Sequence, residues 1–338
     1  MTTAETNARS GAAKSPQNAP SARPDGGLPS WVPRLLVIST LFVVLLTACW
    51  VGAFRTPSPH GVPVGVVAGA HLPQTSAVSV TSYADAADLE QAVQHGTVVG
   101  GLAVESGQAV IYLGEAQGRY GVTFATTFLT GAAAHAGLKP QVRPLAPYGS
   151  GDTAGLVPFF IALSLLVPCL IAGGVIGSTR SLRGPKGVAL LIGFSVLAYV
   201  IDWLVADVWL GAITGSGAAY AAVVLLDALA VSAIAAGLAS WALPFIAFLG
   251  ALFFGLGVPA TGGPASMDYF IPSFFHDLQL YLPPSAAVYG IRGAEWFASS
   301  GVPIVCVALG AWALAGILAL LVRGRIEGTS ATAKESAA

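Results

Sequence analysis

Residues 35–54 read LLVISTLFVVLLTACWVGAF, twenty positions without a single Asp, Glu, Lys or Arg. The interpretation of this stretch decides the fold. A helix crossing the hydrocarbon core of a bilayer needs roughly 20 mostly apolar residues, whereas the core of a cleaved signal peptide has about 7–15. The residues that follow, Arg55, Thr56 and Pro57, offer no small-x-small cleavage pattern. A retained membrane helix within 31–55 is therefore expected.

Five further stretches have the same character: Leu156 to Gly177, Val188 to Trp209, Ala218 to Leu238, Leu243 to Val258 and Val302 to Val322. The fifth of the six spans is short and follows the fourth after only Ala239, Ser240, Trp241 and Ala242. That spacing predicts a tight helical hairpin, with Pro244 opening the returning helix. Composition agrees, because 55% of the 338 residues are hydrophobic and only 9% are charged, against about 25% charged in a soluble domain. Mean hydropathy is +0.74. Such a chain can face lipid but cannot cover a globular surface. The three cysteines, Cys49, Cys169 and Cys306, all fall in apolar runs, so no disulfide framework is expected. The five histidines are scattered without metal-ligand spacing. No metal, cofactor or nucleic acid is expected.

Orientation follows from Lys and Arg, which accumulate on the cytoplasmic side. With the N-terminus inside, that side holds Arg9, Lys14, Arg23 and Arg34, then Arg180, Arg183 and Lys186, then Arg323, Arg325 and Lys334. The loop GAITGSG after the third span carries no charge. Both termini are expected in the cytoplasm of a cell that has this chain in its inner or plasma membrane. Residues 1–30 and 326–338 are rich in small and polar residues and read as disordered tails.

Residues 56–154 read as a folded extracytoplasmic insert. PVGVVA and AVSV are strand-like, ADAADLEQAVQHG helical, VVGGLAVE and AVIYLG a strand pair turning at Ser106-Gly107, GRYGVTFATTFLTGAAAHAG a second helix and PQVRPLAP a last strand. The fold class is thus an α-helical polytopic membrane protein, six spans and both termini inside, with a small α/β domain between the first two spans. A five-helix membrane domain covers 155–325. Within it the segment 259–301 is too polar to span yet rich in aromatics, which suits short helices at, or dipping into, the outer interface.

This architecture resembles the membrane subunits of ABC-2-type exporters, and among them the YhgE/Pip branch. The resemblance rests on the insert pattern DLEQAVQHGTVVGGLAVESGQAVIYLGEAQGRYGVTFATTF, on the order of helices, and on TGGP followed by IPSFFHDLQLYLPPSAAVYGIRG. In that segment the family pattern of Gly, Pro and aromatics lands on Gly262, Gly263, Pro264, Pro272, Phe274, Phe275, Pro283, Ser285 and Arg292. It covers about Leu35 to Val322. The resemblance implies an export permease for an amphipathic or lipid-like substrate, working as a homodimer or heterodimer with a separate ATPase. Consistently, no Gly-x-x-x-x-Gly-Lys-[Ser/Thr] occurs, GPKG at 184–187 being the nearest approach. No nucleophile, base and oxyanion set can be named, so an enzyme is not expected.

Candidate functional residues are those whose placement is costly. A carboxylate near the bilayer centre costs on the order of 3 kcal/mol on insertion scales. Asp227, in VVLLDALA, is close to mid-span with no basic residue in any span; it faces a watery cavity, stays protonated, or bonds to a neighbouring helix. Asp202, about 7 Å deeper than Asp207 by helical rise, either snorkels to the interface or lines a pathway. Asp207, beside Trp209, reads as a wetted helix end. Arg180, Arg183 and Lys186 set topology or, as the sharper alternative, contact the ATPase or anionic lipid. Arg292 and Glu295 are spaced to pair across one helical turn. Pro283-Pro284 reads as a helix stop, and Gly173, Gly174 and Gly177 as a site of close helix packing. Trp31, Trp50, Trp203, Trp209 and Trp241 fall near span ends as interfacial anchors. Two functions compete with the exporter: a proton-coupled carrier using Asp202 and Asp227, and a non-transporting scaffold or receptor with an external binding domain.

Overall fold

The computed structural model describes residues 31–67, 72–215 and 217–335. The tail expected over 1–30 lies outside these residues. Among the described residues, five helices are long and apolar enough to cross a membrane. The first, α1 (Trp31–Phe54), is followed by the insert, which holds β1 (Val62–Val67), β2 (Val78–Tyr83), α2 (Ala86–Gln94), β3 (Gly100–Glu105), β4 (Gln108–Gly114), α3 (Arg119–His135) and β5 (Pro140–Leu145). Every strand and helix expected in the insert is present.

The five strands form one sheet in the order β2-β1-β3-β4-β5, parallel except for the β3–β4 hairpin. Side-chain alternation divides its two faces. Leu102 and its cross-strand partner Ile111 pack beneath α3 with Ala125 and Leu129, while Ala103 and its partner Val110 pack beneath α2 with Leu89 and Val93. Gly65 and Gly101 are register partners, and a Cβ on either would collide with Leu89. The paired glycines therefore let α2 seat its leucine directly on the sheet. At the N-terminus of α2, Asp85 Oδ1 accepts the Asp88 amide at 2.9 Å, a side-chain cap of the usual kind.

Beyond the insert run α4 (Val157–Ser178), α5 (Pro185–Trp203, continued by a π-helical turn Leu204–Trp209) and α6 (Gly217–Trp241). Asp152 starts α4, its two carboxylate oxygens each accepting an amide, from Leu156 and Val157, at 2.9 Å. The bundle core is built on α6, which packs between α4 and α11 (Val302–Glu335). Small residues allow this closeness. A Cβ at Gly173 or Gly177 would overlap the carbonyls of Ser232 and Ala236, and one at Gly316 would meet the α6 backbone at Ala233. Gly174, by contrast, only faces Ile246 at 3.6 Å. By comparison α5 leaves Leu190, Ile192, Leu197 and Ile201 largely exposed, a surface fit for lipid.

The fifth expected span is short, as its sequence suggests: α7 (Phe245–Leu252), a π-helical turn (Phe253–Gly257) and α8 (Val258–Ala260) together make one apolar helix over Phe245–Ala260. At ~1.5 Å per residue it reaches about 24 Å of a ~30 Å core. Two expectations need correction. First, residues 326–335 are helical rather than tail-like, because α11 runs on to Glu335. Glu327 pairs with Arg323 one turn back at 3.0 Å and with Arg183 across the bundle, and the hydroxyls of Thr329 and Ser330 bond to the carbonyls four residues earlier. Second, Pro283-Pro284 starts a helix instead of ending one. The prolines occupy the first positions of α10 (Pro283–Trp296), where a missing amide hydrogen costs nothing.

The segment before α11 differs from a helix lying flat at an interface. After α8 come a glycine turn, then α9 (Ser273–Asp277) and α10. Helix α10 is buried almost throughout and packs against α4, α6 and α11 through Ala286, Ala287 and Ile291. Meanwhile Met267, Phe270, Ile271 and Phe275 join the hydrophobic cluster of the sheet and α3. One segment thus belongs to two cores at once.

Candidate functional site

The residues 261–268, TGGPASMD, form the joint between insert and bundle. Gly262 and Gly263 have φ of +76° and +68°, the left-handed region that glycine enters without penalty. The chain closes on itself through Met267 N–H to Gly262 O at 2.9 Å and Gly263 N–H to the Thr261 hydroxyl at 2.9 Å. This turn is stacked on Gly118 of the insert, where a Cβ would come within 2.8 Å of the Ser266 Cβ. Sequence-predicted residues take distinct parts here. Gly263 lies against the Phe54 ring, Pro272 precedes α9 as its cap residue, and Phe275 is buried in the cluster under α3. Pro283 opens α10 and Arg292 sits in its third turn.

Arg292 does not pair with Glu295, as spacing along the helix suggests. Its guanidinium forms a buried ion pair with Asp268, the two side chains being 4% and 9% exposed. Gln279 donates to the other Asp268 oxygen at 3.2 Å, the His276 ring nitrogen Nδ1 lies 3.0 Å from the Asp268 carbonyl, and a second Arg292 nitrogen reaches the insert at Ala116 O, 3.4 Å away. Among the described residues Arg292 Nε has no hydrogen-bond partner. Arg292 lines a cavity of about 40 Å³ together with His95 and Gln117 from the insert and Tyr289 and Ser300 from the bundle side. That volume exceeds the ~10–15 Å³ a water needs. Glu295 turns the other way. One oxygen accepts the amides of Thr214 at 2.7 Å and Gly215 at 2.9 Å, tying α10 to the loop after α5. Burial pushes the Glu295 carboxyl above the usual range, partly offset by those two amides. Around this node the insert adds aromatic contacts, Tyr148 meeting Trp296 edge-on at 5.1 Å.

Sequence reasoning overlooked Asp268. The signal was available, since Asp268, Asp277, Arg292 and Glu295 are the only charges besides His276 in the whole of 259–301. A buried cation must have a partner, and Asp268 sits within the same turn as Gly262 and Gly263.

The intramembrane acids separate into two kinds. Asp202 is half-buried and accepts a hydrogen bond from the Tyr220 hydroxyl, which links α5 to α6. Asp207 is held within its own turn by Trp203 Nε1 at 2.8 Å. Asp227 is 1% exposed near the middle of α6, and among the described residues its Oδ1 has no hydrogen-bond partner. The structure does not bring Asp202 and Asp227 into contact with one another.

The basic loop also divides. Arg183 is used structurally: Nε donates to the Gly177 carbonyl at 2.9 Å, a second nitrogen to Ser178 O at 3.3 Å, and Nη1 pairs with Glu327. It closes the C-terminal end of α4, where carbonyls lack intrahelical partners, and holds it to α11. Arg180 and Lys186 are exposed. Arg323 lies over the Trp241 ring at 5.2 Å on the same end of the bundle.

Chemically, the joint ties insert to bundle through paired polar groups shielded from solvent. Comparison of the chain with protein-family models, with characterised proteins and with solved structures finds no match.

Proposed function

We propose that the chain is the membrane-embedded subunit of an ABC-2-type exporter that moves an amphipathic or lipid-like substrate. Its termini are cytoplasmic, with the short α7–α8 helix making the sixth crossing, its sheet domain is outside the cell membrane, a second subunit completes the pathway, and a separate ATPase supplies the energy. The observation that carries this reading is the Asp268–Arg292 joint, where one segment packs into both the sheet domain and the bundle. A rearrangement of α4, α6 and α11 would move the sheet domain with it, as an exporter with an external gate requires. Orientation is supported by a tertiary contact: the Arg183–Glu327 pair gathers Arg180, Arg183, Lys186, Arg323 and Arg325 at one end of the bundle, the end that favours the cytoplasm.

The test is affinity purification from native membranes in mild detergent, with mass spectrometry for a co-purifying ATPase. A stoichiometric ATPase, lost on Arg180→Ala with Lys186→Ala, is expected. Arg183 is left unchanged because it supports the fold. No ATPase across several detergents would overturn the reading.

One observation favours a second reading. Asp227 is a buried acid with an unsatisfied oxygen, the kind of group that marks a proton pathway in membrane proteins. A proton-coupled carrier would lose activity on Asp227→Asn and on dissipating the proton gradient, with no ATPase needed.

A further inference from the structure

The face of α3 turned away from the sheet carries a groove in two lobes. Helix α3 gives Gly121, Ala125, Leu129, Ala132 and Ala133 to the interior, which leaves Tyr120, Thr123, Phe124 and Thr127 along the groove. The first lobe, about 810 Å³, is walled by Tyr120, Phe124 and Phe270. The Phe270 ring stands 6.0 Å from Phe124, edge-on, and 5.8 Å from Tyr120. The second lobe, about 640 Å³, extends from Glu115 past Val122 to Leu156 and Pro264. Arg119, Thr123 and Ala265 line both. These volumes are of the size that takes small organic ligands.

Two features say what fits. Leu156 immediately precedes the apolar helix α4, and Pro264 and Ala265 follow α8 within five residues. The second lobe therefore opens where apolar helices end, at the boundary between hydrocarbon and water. Arg119 and Glu115 are exposed, line the same lobe, and make no ion pair among the described residues. An apolar ligand would use neither charge, and an anionic lipid would match Arg119 but meet repulsion from Glu115. A lipid whose headgroup carries both a phosphate and a primary ammonium matches both. Guanidinium binds phosphate oxygens bidentately, the carboxylate accepts the ammonium hydrogens, and an acyl chain fills the aromatic lobe.

We propose that this groove binds an aminophospholipid of the phosphatidylethanolamine type, taken from the adjoining leaflet. The proposal rests on the part of the functional reading that sets the sheet domain at a membrane surface, and needs neither transport nor an ATPase.

The test uses the full chain extracted from vesicles holding equal phosphatidylethanolamine, phosphatidylcholine and phosphatidylglycerol, with retained lipid measured by mass spectrometry. The wild type is expected to enrich phosphatidylethanolamine several-fold over the other two. Glu115→Gln should abolish its advantage over phosphatidylcholine, which has no ammonium hydrogens to donate. Arg119→Gln should reduce the enrichment to the bulk ratio, and Phe124→Ser should lower total retention while keeping the preference. Both charged side chains are exposed, so unchanged circular dichroism is expected to accompany these losses. Equal retention of the three lipids, enrichment of phosphatidylglycerol, preferences indifferent to Glu115 and Arg119, or full displacement by glycerophosphoethanolamine without acyl chains would each overturn the proposal. Failure to recover an ATPase, which sinks the exporter reading, would leave this result untouched.

Discussion

Replacing Arg292 by Met keeps an unbranched, flexible side chain in α10, shorter than the original, while deleting its charge. Asp268 is then left with an Oδ2 that has lost its cation, in a site where its side chain is 9% exposed. It keeps only Gln279 on Oδ1, at 3.2 Å, and it cannot swing outward freely because Gly262 backs directly onto its carboxylate. Removing one partner of a buried ion pair typically costs ~3–5 kcal/mol, whereas removing both charges together is often nearly neutral. At ~1.4 kcal/mol per tenfold change, R292M should raise the population in which the joint has opened by about two to more than three powers of ten. The assay is hydrogen–deuterium exchange in detergent, followed on peptides covering 262–271 and 283–297, since local opening is what exchange reports. The D268N/R292M double variant should recover most of the lost protection, and D268N alone should fall between. Exchange in R292M within ~1 kcal/mol of the wild type, or a double variant as open as R292M, would refute the argument that this pair holds insert to bundle.

Other consequences follow from the same packing. Gly177→Val places a side chain against the Ala236 carbonyl and should destabilise the α4–α6 contact by ~1–3 kcal/mol, as overpacking does, measured by thermal unfolding in detergent; an unchanged midpoint would contradict the close approach. Arg183→Ala removes charge-assisted bonds to the end of α4 and should cost ~1.5–3 kcal/mol, while exposed Lys186→Ala should stay within about 0.5 kcal/mol. Asp227→Leu removes an unsatisfied buried oxygen and should raise thermal stability even if it abolishes activity. In the insert, burial and the Glu105 carboxylate 2.6 Å away push the Tyr112 hydroxyl up to about 12 from the ordinary 10. Folding favours the neutral phenol, so this contribution to stability is complete below pH 10 and is lost as pH rises through about 12. An ultraviolet phenolate titration of wild type against Tyr112→Phe checks it; a phenolate difference signal that appears near pH 10 would refute it.

The sequence by itself determined what depends on local periodicity and apolar length. The long apolar helices, the strand and helix order of 56–154, and the glycine spacing of α4 are of this kind, because each is set by residues within a turn or two of one another. The short α7–α8 helix was legible as short for the same reason. Tertiary structure decided the rest. The partner of Arg292 is Asp268, 24 residues earlier, and not Glu295 one turn along the helix, because the glycine turn folds back to present the carboxylate. Helix α11 continues through 326–335, although the composition there reads as a tail, because Glu327 finds Arg183, 144 residues away. Pro283-Pro284 can stop a helix or start one, and only the packing of α10 into the bundle selects the start. Charges and prolines have no periodic signature, and their roles are chosen by whichever partner the folded chain brings within a few ångströms.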